Sequence, residues 1–194
     1  MTKGRLEAFT DGVIAILITV MVLEFKVPEG ETWGALRPLV PVLLTYALSF
    51  VYLGIYWNNH HHMFHAAERI NGKIMWANLN LLFWLSFTPF VTGWMGENHY
   101  APVPTAAYGA VQLLAAIAYV ILQTLLVAEH GPNSRFARAL GSDTKGKVLM
   151  LLYASAIVLA FVNQWFSDVC YVTVALIWLV PDRRFEVKDA NSPT

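Results

Sequence analysis

The chain has 194 residues, of which 57% are hydrophobic and 13% are charged, and its mean hydropathy is +0.50. Soluble domains carry about 25% charged residues, so this composition indicates an integral membrane protein. The net charge of zero gives no sign of nucleic-acid binding. The single cysteine, Cys170, excludes an intramolecular disulfide framework and a cysteine-rich metal site.

Six apolar segments follow one another along the chain. They predict an all-α fold of six transmembrane helices, in one domain over residues 1–184 with a short polar tail at 185–194. Pro28 ends the first segment, Pro38 and Pro41 lie in the first turns of the second, and Pro89 predicts a kink in the third. The predicted helices cover residues 5–27, 36–64, 74–95, 103–128, 148–163 and 165–180.

Basic residues lie at alternate ends of these segments, and only Lys26 and Arg37 lie on the other side. The positive-inside rule therefore places both termini and the even-numbered loops in the cytoplasm. The outer ends carry five carboxylates. They either attract cations to the outer entrance of an ion path, or they are there only because basic residues are excluded from outer loops. The cytoplasmic bases are Lys3, Arg5, Arg69, Lys73, Arg135, Arg138, Lys145, Lys147, Arg183, Arg184 and Lys188, and the outer acids are Glu24, Glu29, Glu31, Glu97 and Asp168.

The first segment needs its charged start in order to span a bilayer. Its uninterrupted apolar part, residues 13–23, covers about 16 Å, which is about half of the hydrocarbon thickness. The helix must therefore continue back through Asp11 and Thr10 towards Arg5, and such groups need protein or water around them. Alternatively, Thr10 or Asp11 caps the start of a shorter helix.

One face of this first helix carries a stripe of apolar residues, formed by Ile16, Val20 and Leu23 with Thr19 beside them. We call these four residues the α1 stripe. Around a symmetry axis they would form stacked apolar rings and one ring of hydroxyls, which is an arrangement suited to an ion path. From the spacing alone, ordinary helix packing is the favoured explanation of the stripe.

The cytoplasmic ends of the first three segments share several polar residues. Glu7 and Asp11 repel each other on one helix face, so Asp11 is expected to find its partner on a different helix. A run of histidines, His60 to His62, ends the second segment and lies at the same depth as Asn78 or Asn80. A polar network between helices is therefore predicted, and it is either functional or only structural.

The histidine run invites a metal hypothesis, but three adjacent residues on a helix fan out and cannot all reach one ion. Only His61 and His65 share a face, so hydrogen bonding or pH sensing is preferred for His60, His61 and His62 over a metal or haem site. Gln112 and Gln123 lie eleven residues apart, and hence on one face of the fourth segment, and both are predicted to hydrogen-bond neighbouring helices. No nucleophile elbow, phosphate loop or carboxylate pair appears, so we expect neither an enzyme nor a cofactor.

The motif Arg5-x-x-x-Phe9-Thr10-Asp11-Gly12 resembles the Arg-x-x-x-Phe-Ser-Asp signature of the endosomal and lysosomal potassium channel family (transmembrane protein 175-like), specifically its bacterial members. The second and third segments resemble the same family, through the runs at residues 56–64 and 76–94. Thr10 replaces the usual serine and keeps the hydroxyl. The similarity is close in the first half of the chain and extends to the remainder only through the number of spans.

The resemblance implies a homotetramer in the bacterial inner membrane, with both termini cytoplasmic and a pore that the first helix lines. It implies a potassium-preferring channel in which Ile16 forms the constriction, Thr19 contributes to potassium selectivity, and Val20 and Leu23 form further apolar layers. It also implies that the first helix is held by a network at its charged start. The matching residues are Arg5, Phe9, Thr10 and Asp11, with Asn78 and one histidine of the run His60, His61, His62 as partners.

Two other hypotheses stay open at this point. Asp11 and the histidines are able to relay protons, so the chain is alternatively a proton channel. In a different class, it is a membrane scaffold or a metal-binding protein that uses the histidine run. Potassium ions, the lipid bilayer and further copies of the chain are the expected partners.

Overall fold

The computed structural model describes residues 2–131, 134, 137 and 144–179, and this part of the chain is helical without strands. The predicted tail at 185–194 and the basic residues Arg135, Arg138, Arg183, Arg184 and Lys188 lie outside the described residues. The helices are α1 Lys3–Leu23, a 3-10 helix Trp33–Leu39, α2 Val40–Ala66, α3 Gly72–Leu85, α4 Thr88–Glu97, α5 Pro102–His130, α6 Thr144–Leu159 and α7 Gln164–Leu179.

Each of the six predicted segments is found as an apolar helix or a pair of helices. Within the described residues, four segments are long and apolar enough to cross a membrane. The apolar parts of α6 and α7, Gly146–Leu159 and Gln164–Leu179, are shorter than a standard span of about 20 residues. The all-helical prediction is confirmed, and crossing of the membrane by the last two helices stays a prediction. The four longer segments are Lys3–Leu23, Trp33–Ala66, Gly72–Glu97 and Pro102–His130.

The predicted kink in the third segment is confirmed as a break between α3 and α4. Pro89 lies in the first turn of α4, where its missing amide costs least, and the two helices meet at Ser86 and Phe87. The break lets α4 pack against α1, α2 and α5. At Gly96 the approach to α2 is so close that an added Cβ would lie 2.7 Å from the Cα of Val42.

Two hydrophobic cores lie within the described part of the chain. The first core joins α1, α2, α3 and α5, with Phe64 and Leu81 among its fully buried members. The second core joins α2, α4, α5, α6 and α7, and it is rich in tyrosines such as Tyr52 and Tyr171. Because α1 contributes to the first core alone, it lies at an edge of the bundle with one face free.

Two lysines of α1 and of the segment after it mark opposite ends of the bundle. The start of α1 meets the end of α2, because the Lys3 Nζ donates to the carbonyl oxygens of Phe64 and Ala67, each at 2.9 Å. At the opposite end of the bundle, the Lys26 Nζ lies 2.9 Å from a carboxylate oxygen of Glu97. Lys3 therefore belongs to one end of the bundle and Lys26 to the other.

Candidate functional site

The two faces of α1 differ sharply in their surroundings. One face is buried against α2, α3 and α4, while the opposite face is open along the whole helix. Ile16 is 59% exposed and Leu23 is 79% exposed, which is unusual for large apolar side chains unless lipid or another protein covers them. The buried face consists of Leu6, Thr10, Ile14, Leu17 and Met21.

Polar groups lie on the open side of α1 together with the apolar residues. Thr19 is exposed, and its hydroxyl oxygen lies 3.1 Å from the carbonyl oxygen of Ala15 and 3.0 Å from that of Ile16. The hydroxyl hydrogen is thus directed back to the helix, which leaves oxygen lone pairs facing outward. Val20 is only half-buried and lies at the edge of the open face, where it also lines a cleft between α1 and α4.

A buried chain of hydrogen bonds joins α1, α2 and α3. The Asn78 side chain donates from Nδ2 to the hydroxyl of Thr10 at 2.9 Å, and its Oδ1 lies 2.9 Å from the Nε2 of His60. All three side chains are buried. Asn78 is the central member because it uses both ends of its amide. The structure therefore brings together Thr10, His60 and Asn78 from the predicted network.

Asp11 lies next to this chain but has a different partner. The indole Nε1 of Trp57 donates to the Asp11 carboxylate at 3.0 Å, so the partner is on α2, as expected from the repulsion by Glu7. Trp57 was not predicted, although it precedes His60 by one helical turn and therefore shares its side of α2. Lys3 was not predicted to belong to this site either. Its ammonium group lies at the carboxyl end of α2, where the helix dipole favours a positive charge.

Two residues of the signature motif point away from the bundle. Arg5 is exposed, and within the described residues no hydrogen bond or ion pair joins its side chain to another. Phe9 is also exposed. Any partner of these two residues at the start of α1 must come from outside the described part of this chain.

The other histidines of the run lie on the surface of α2. The exposed His61 ring stacks between Trp57 and His65, with ring centroids 6.1 Å apart in both pairs, and His62 meets its edge at 5.6 Å. Among the described residues no group of three His, Cys, Asp or Glu side chains is placed to hold a metal ion. His60 alone faces the interior.

The opposite end of α1 carries acidic groups. Glu24 and Glu97 border a cleft of about 530 Å³ between α1 and α4, whose apolar wall includes Leu17, Val20 and Phe90. Lys26 is paired with Glu97 and offsets part of this negative charge. The cleft beside α1 is therefore lined by the carboxylates of Glu24 and Glu97.

Comparisons with known proteins point to one family. The sequence profile of the family described as endosomal/lysosomal potassium channel TMEM175 matches residues 5–89. The chain is 50% identical over 186 residues to a potassium channel of Chryseobacterium sp. (strain P1-3), a match that covers 96% of this chain and 97% of that protein. It is 33% identical over 182 residues to a potassium channel of Chamaesiphon minutus, with 87% and 90% covered.

More distant relatives and a solved structure agree. The endosomal/lysosomal proton channel TMEM175 of Danio rerio is 24% identical over 198 residues, which cover 93% of this chain and 36% of that protein. The fold is similar to the crystal structure of a lysosomal potassium-selective channel TMEM175 homolog from Chamaesiphon minutus. That similarity has a TM-score of 0.82 and 28% identity, and it covers 93% of this chain and 97% of the other.

Proposed function

The chain belongs to the TMEM175 family of ion channels, which are not enzymes, and on that premise we propose that it forms a potassium-preferring cation channel. Four copies of the six-span chain surround an axis in the bacterial inner membrane, with both termini in the cytoplasm and α1 next to the axis. Potassium ions are its permeant partners. The potassium channels among the similar bacterial proteins support this choice of ion.

The observation that carries the proposal is the mixed chemistry on the open face of α1. Thr19 and Arg5 are exposed on the same helix as Ile16 and Leu23. Lipid is a poor neighbour for an arginine and for an outward-facing hydroxyl, whereas water and protein suit both. A central aqueous path between copies of α1 accommodates the polar residues and the apolar ones at once.

The α1 stripe supplies the parts that such a path needs. Ile16, at the middle of α1, forms the narrowest ring, which blocks hydrated ions through its bulk and its resistance to wetting. One turn further along, the outward lone pairs of Thr19 replace part of the hydration shell of a cation. Leu23 adds a further apolar layer, and Val20 does so from the edge of the open face.

The charged start of α1 has an anchoring role in this proposal. Asp11 and Thr10 fix α1 to α2 and α3 within one subunit through Trp57 and Asn78. Arg5 and Phe9 have open surroundings in the single chain, so they are assigned to contacts with the neighbouring subunit. In this proposal the motif holds α1 on one side to its own subunit and on the other side to the neighbouring subunit.

Potassium-dependent flux into liposomes tests the proposal directly. Ile16→Asn replaces the apolar constriction with an amide that holds water, so the conductance is expected to rise several-fold and the potassium preference to fall. Val22→Asn is the matched control, because Val22 is 50% exposed on the same helix but lies about 120° around it from Ile16. Equal currents from the wild type and Ile16→Asn would reject Ile16 as the constriction.

Proton conduction is the second candidate, and the vertebrate relatives named proton channel favour it. The hydrogen-bonded chain from Thr10 through Asn78 to His60 is a short polar route into the bundle. Bilayer recordings with opposed pH and potassium gradients separate the two functions. A reversal potential that follows the pH gradient and ignores potassium would replace the potassium assignment with the proton assignment.

A further inference from the structure

A group of buried polar side chains between α5 and α7 lacks hydrogen-bond partners. In the described part of the chain seven buried side-chain nitrogen and oxygen atoms have no partner, and six of them belong to these two helices. Buried polar groups are nearly always paired, so each exception indicates an occupant or a special role. The six atoms are the Thr105 hydroxyl oxygen, both amide atoms of Gln112, the Ser167 hydroxyl oxygen and both carboxylate oxygens of Asp168.

The packing of Tyr171 brings these groups towards one another. Its hydroxyl donates to the carbonyl oxygen of Thr105 at 2.9 Å, and it occupies the space beside Gly109, where an added Cβ would lie 2.0 Å from the hydroxyl oxygen. Ser167 and Asp168 precede Tyr171 by four and three residues, so they share its side of α7. The backbone of Thr105 is therefore held against the turn of α7 that contains Ser167 and Asp168.

The environment of Asp168 is polar but carries no compensating positive charge. Asp168 lies close enough to act electrostatically on the phenols of Tyr100, Tyr108 and Tyr171. Within the described ranges, no lysine, arginine or histidine forms an ion pair with Asp168. Lys26 is paired with Glu97, another acid. A buried carboxylate without a partner is strongly disfavoured, so either a cation or a proton is expected to neutralise it.

We propose that Asp168, Ser167 and Thr105 form a binding site for one monovalent alkali cation. The carboxylate supplies the charge, the two hydroxyl oxygens supply neutral ligands, and water completes the shell. Gln112 follows two turns, or about 10 Å, deeper on the same face of α5, so its amide lies beyond the shell of an ion held by Thr105. A divalent ion fits poorly, because sites for calcium usually combine several carboxylates and the cluster has one.

The site is distinct from the ion path on α1. Tyr171 belongs to the second core, in which α1 takes no part, and Asp168 lies in the second turn of α7. Near the start of α7, the rings of Tyr100 and Trp165 pack together with their centroids 6.0 Å apart. Tyr100 lies in the connection between α4 and α5. The bound cation would hold α5 and α7 together, and this role is independent of which ion the channel conducts.

Crystals soaked in rubidium or thallium test the site without reference to channel activity. An anomalous difference peak beside Asp168 is expected in the wild type and is expected to vanish in Asp168→Asn, whose amide has nearly the same shape but no charge. Glu97→Gln is the matched control, because it removes an exposed acid on the same side of the bundle and leaves the peak in place. Wild-type crystals with peaks elsewhere and none beside Asp168 would overturn the proposal.

Thermal unfolding of the full-length protein in detergent gives a second readout. Adding potassium or sodium to a medium that contains only a bulky organic cation should raise the wild-type melting temperature until the site saturates. Asp168→Asn should lose this part of the rise, and Thr105→Val should weaken it by removing one ligand. An identical rise in the wild type and Asp168→Asn would contradict the cation site. Stability that follows pH and ignores both metals would show that a proton occupies it.

Discussion

Thr19 stands out because its side chain is the polar member of the α1 stripe. Thr19→Ala removes the outward oxygen while keeping the helix, so the preference for potassium over sodium should fall. A hydrogen bond contributes about 0.5–1.4 kcal/mol, which corresponds to a loss of roughly 2- to 10-fold in the permeability ratio. Reversal potentials in mixed potassium and sodium solutions measure this ratio.

Thr19→Ser is the control for that experiment, because serine keeps the hydroxyl and its bond to the preceding turn. We expect it to retain most of the selectivity. If Thr19→Ser loses as much selectivity as Thr19→Ala, the selectivity depends on the packing of the threonine methyl group and not on the hydroxyl oxygen.

Asn78 bonds two buried side chains at once, those of Thr10 on α1 and His60 on α2. Asn78→Ala leaves the Thr10 hydroxyl and the His60 imidazole buried without a bond, at a cost of about 1–2 kcal/mol. The melting temperature of the purified protein should therefore fall by several degrees. Asn80→Ala, two residues along α3 and on another face, should have little effect. A fall of equal size in both variants would contradict the importance of the network.

At the scale of the helices, Asp11 joins α1 to α2 through the hydrogen bond that it accepts from Trp57. Asp11→Ala removes the acceptor of the Trp57 indole, so α1 should lose its fixed angle and the subunits should assemble poorly. Asp11→Asn keeps an acceptor oxygen and should assemble better. Size-exclusion profiles and selectivity are measured on the same samples. A normal tetramer profile with altered ion preference would show that Asp11 acts on the ions and not on assembly.

Hydropathy was sufficient to predict the helices but not their contacts. The apolar runs place α1, α2 and α5 within a few residues of their observed ends, and Pro89 marks the break before α4 because proline cannot continue the preceding helix. The partner of Asp11 could not be predicted in this way, because periodicity shows which face of a helix a residue lies on but not which residue packs against that face. The interpretation of Gln112 was wrong, because its amide has no partner among the described residues.

The tyrosine-rich second core was also missed by the sequence reasoning. Tyr52, Tyr108 and Tyr171 come from three separate helices, and nothing in their spacing indicates that they meet. Their hydroxyls are paired, with Tyr52 donating to the carbonyl oxygen of Tyr171 at 2.7 Å and Tyr108 lying 3.1 Å from the hydroxyl of Ser49. A polar interior of this kind depends on helix packing that local sequence does not encode.

For the whole molecule, the open face of α1 requires an explanation that a single chain cannot provide. Apolar and polar residues alternate on it, so neither lipid nor water alone suits the entire face. In the proposed assembly, closed symmetry would place the same face of each subunit around one axis and bury it among copies of itself. The position of α1 at the edge of the first core makes this arrangement possible without moving any other helix.

Disulfide cross-linking tests this arrangement in a background where Cys170 is replaced by alanine. Leu23→Cys, at a position that is 79% exposed on α1, should form disulfide-linked dimers under mild oxidation, because copies of the residue meet near the axis. Val158→Cys is the matched control, since Val158 is 65% exposed on α6 and is expected to face lipid. Dimers from Val158→Cys together with monomers from Leu23→Cys would place α6, and not α1, at the centre of the assembly.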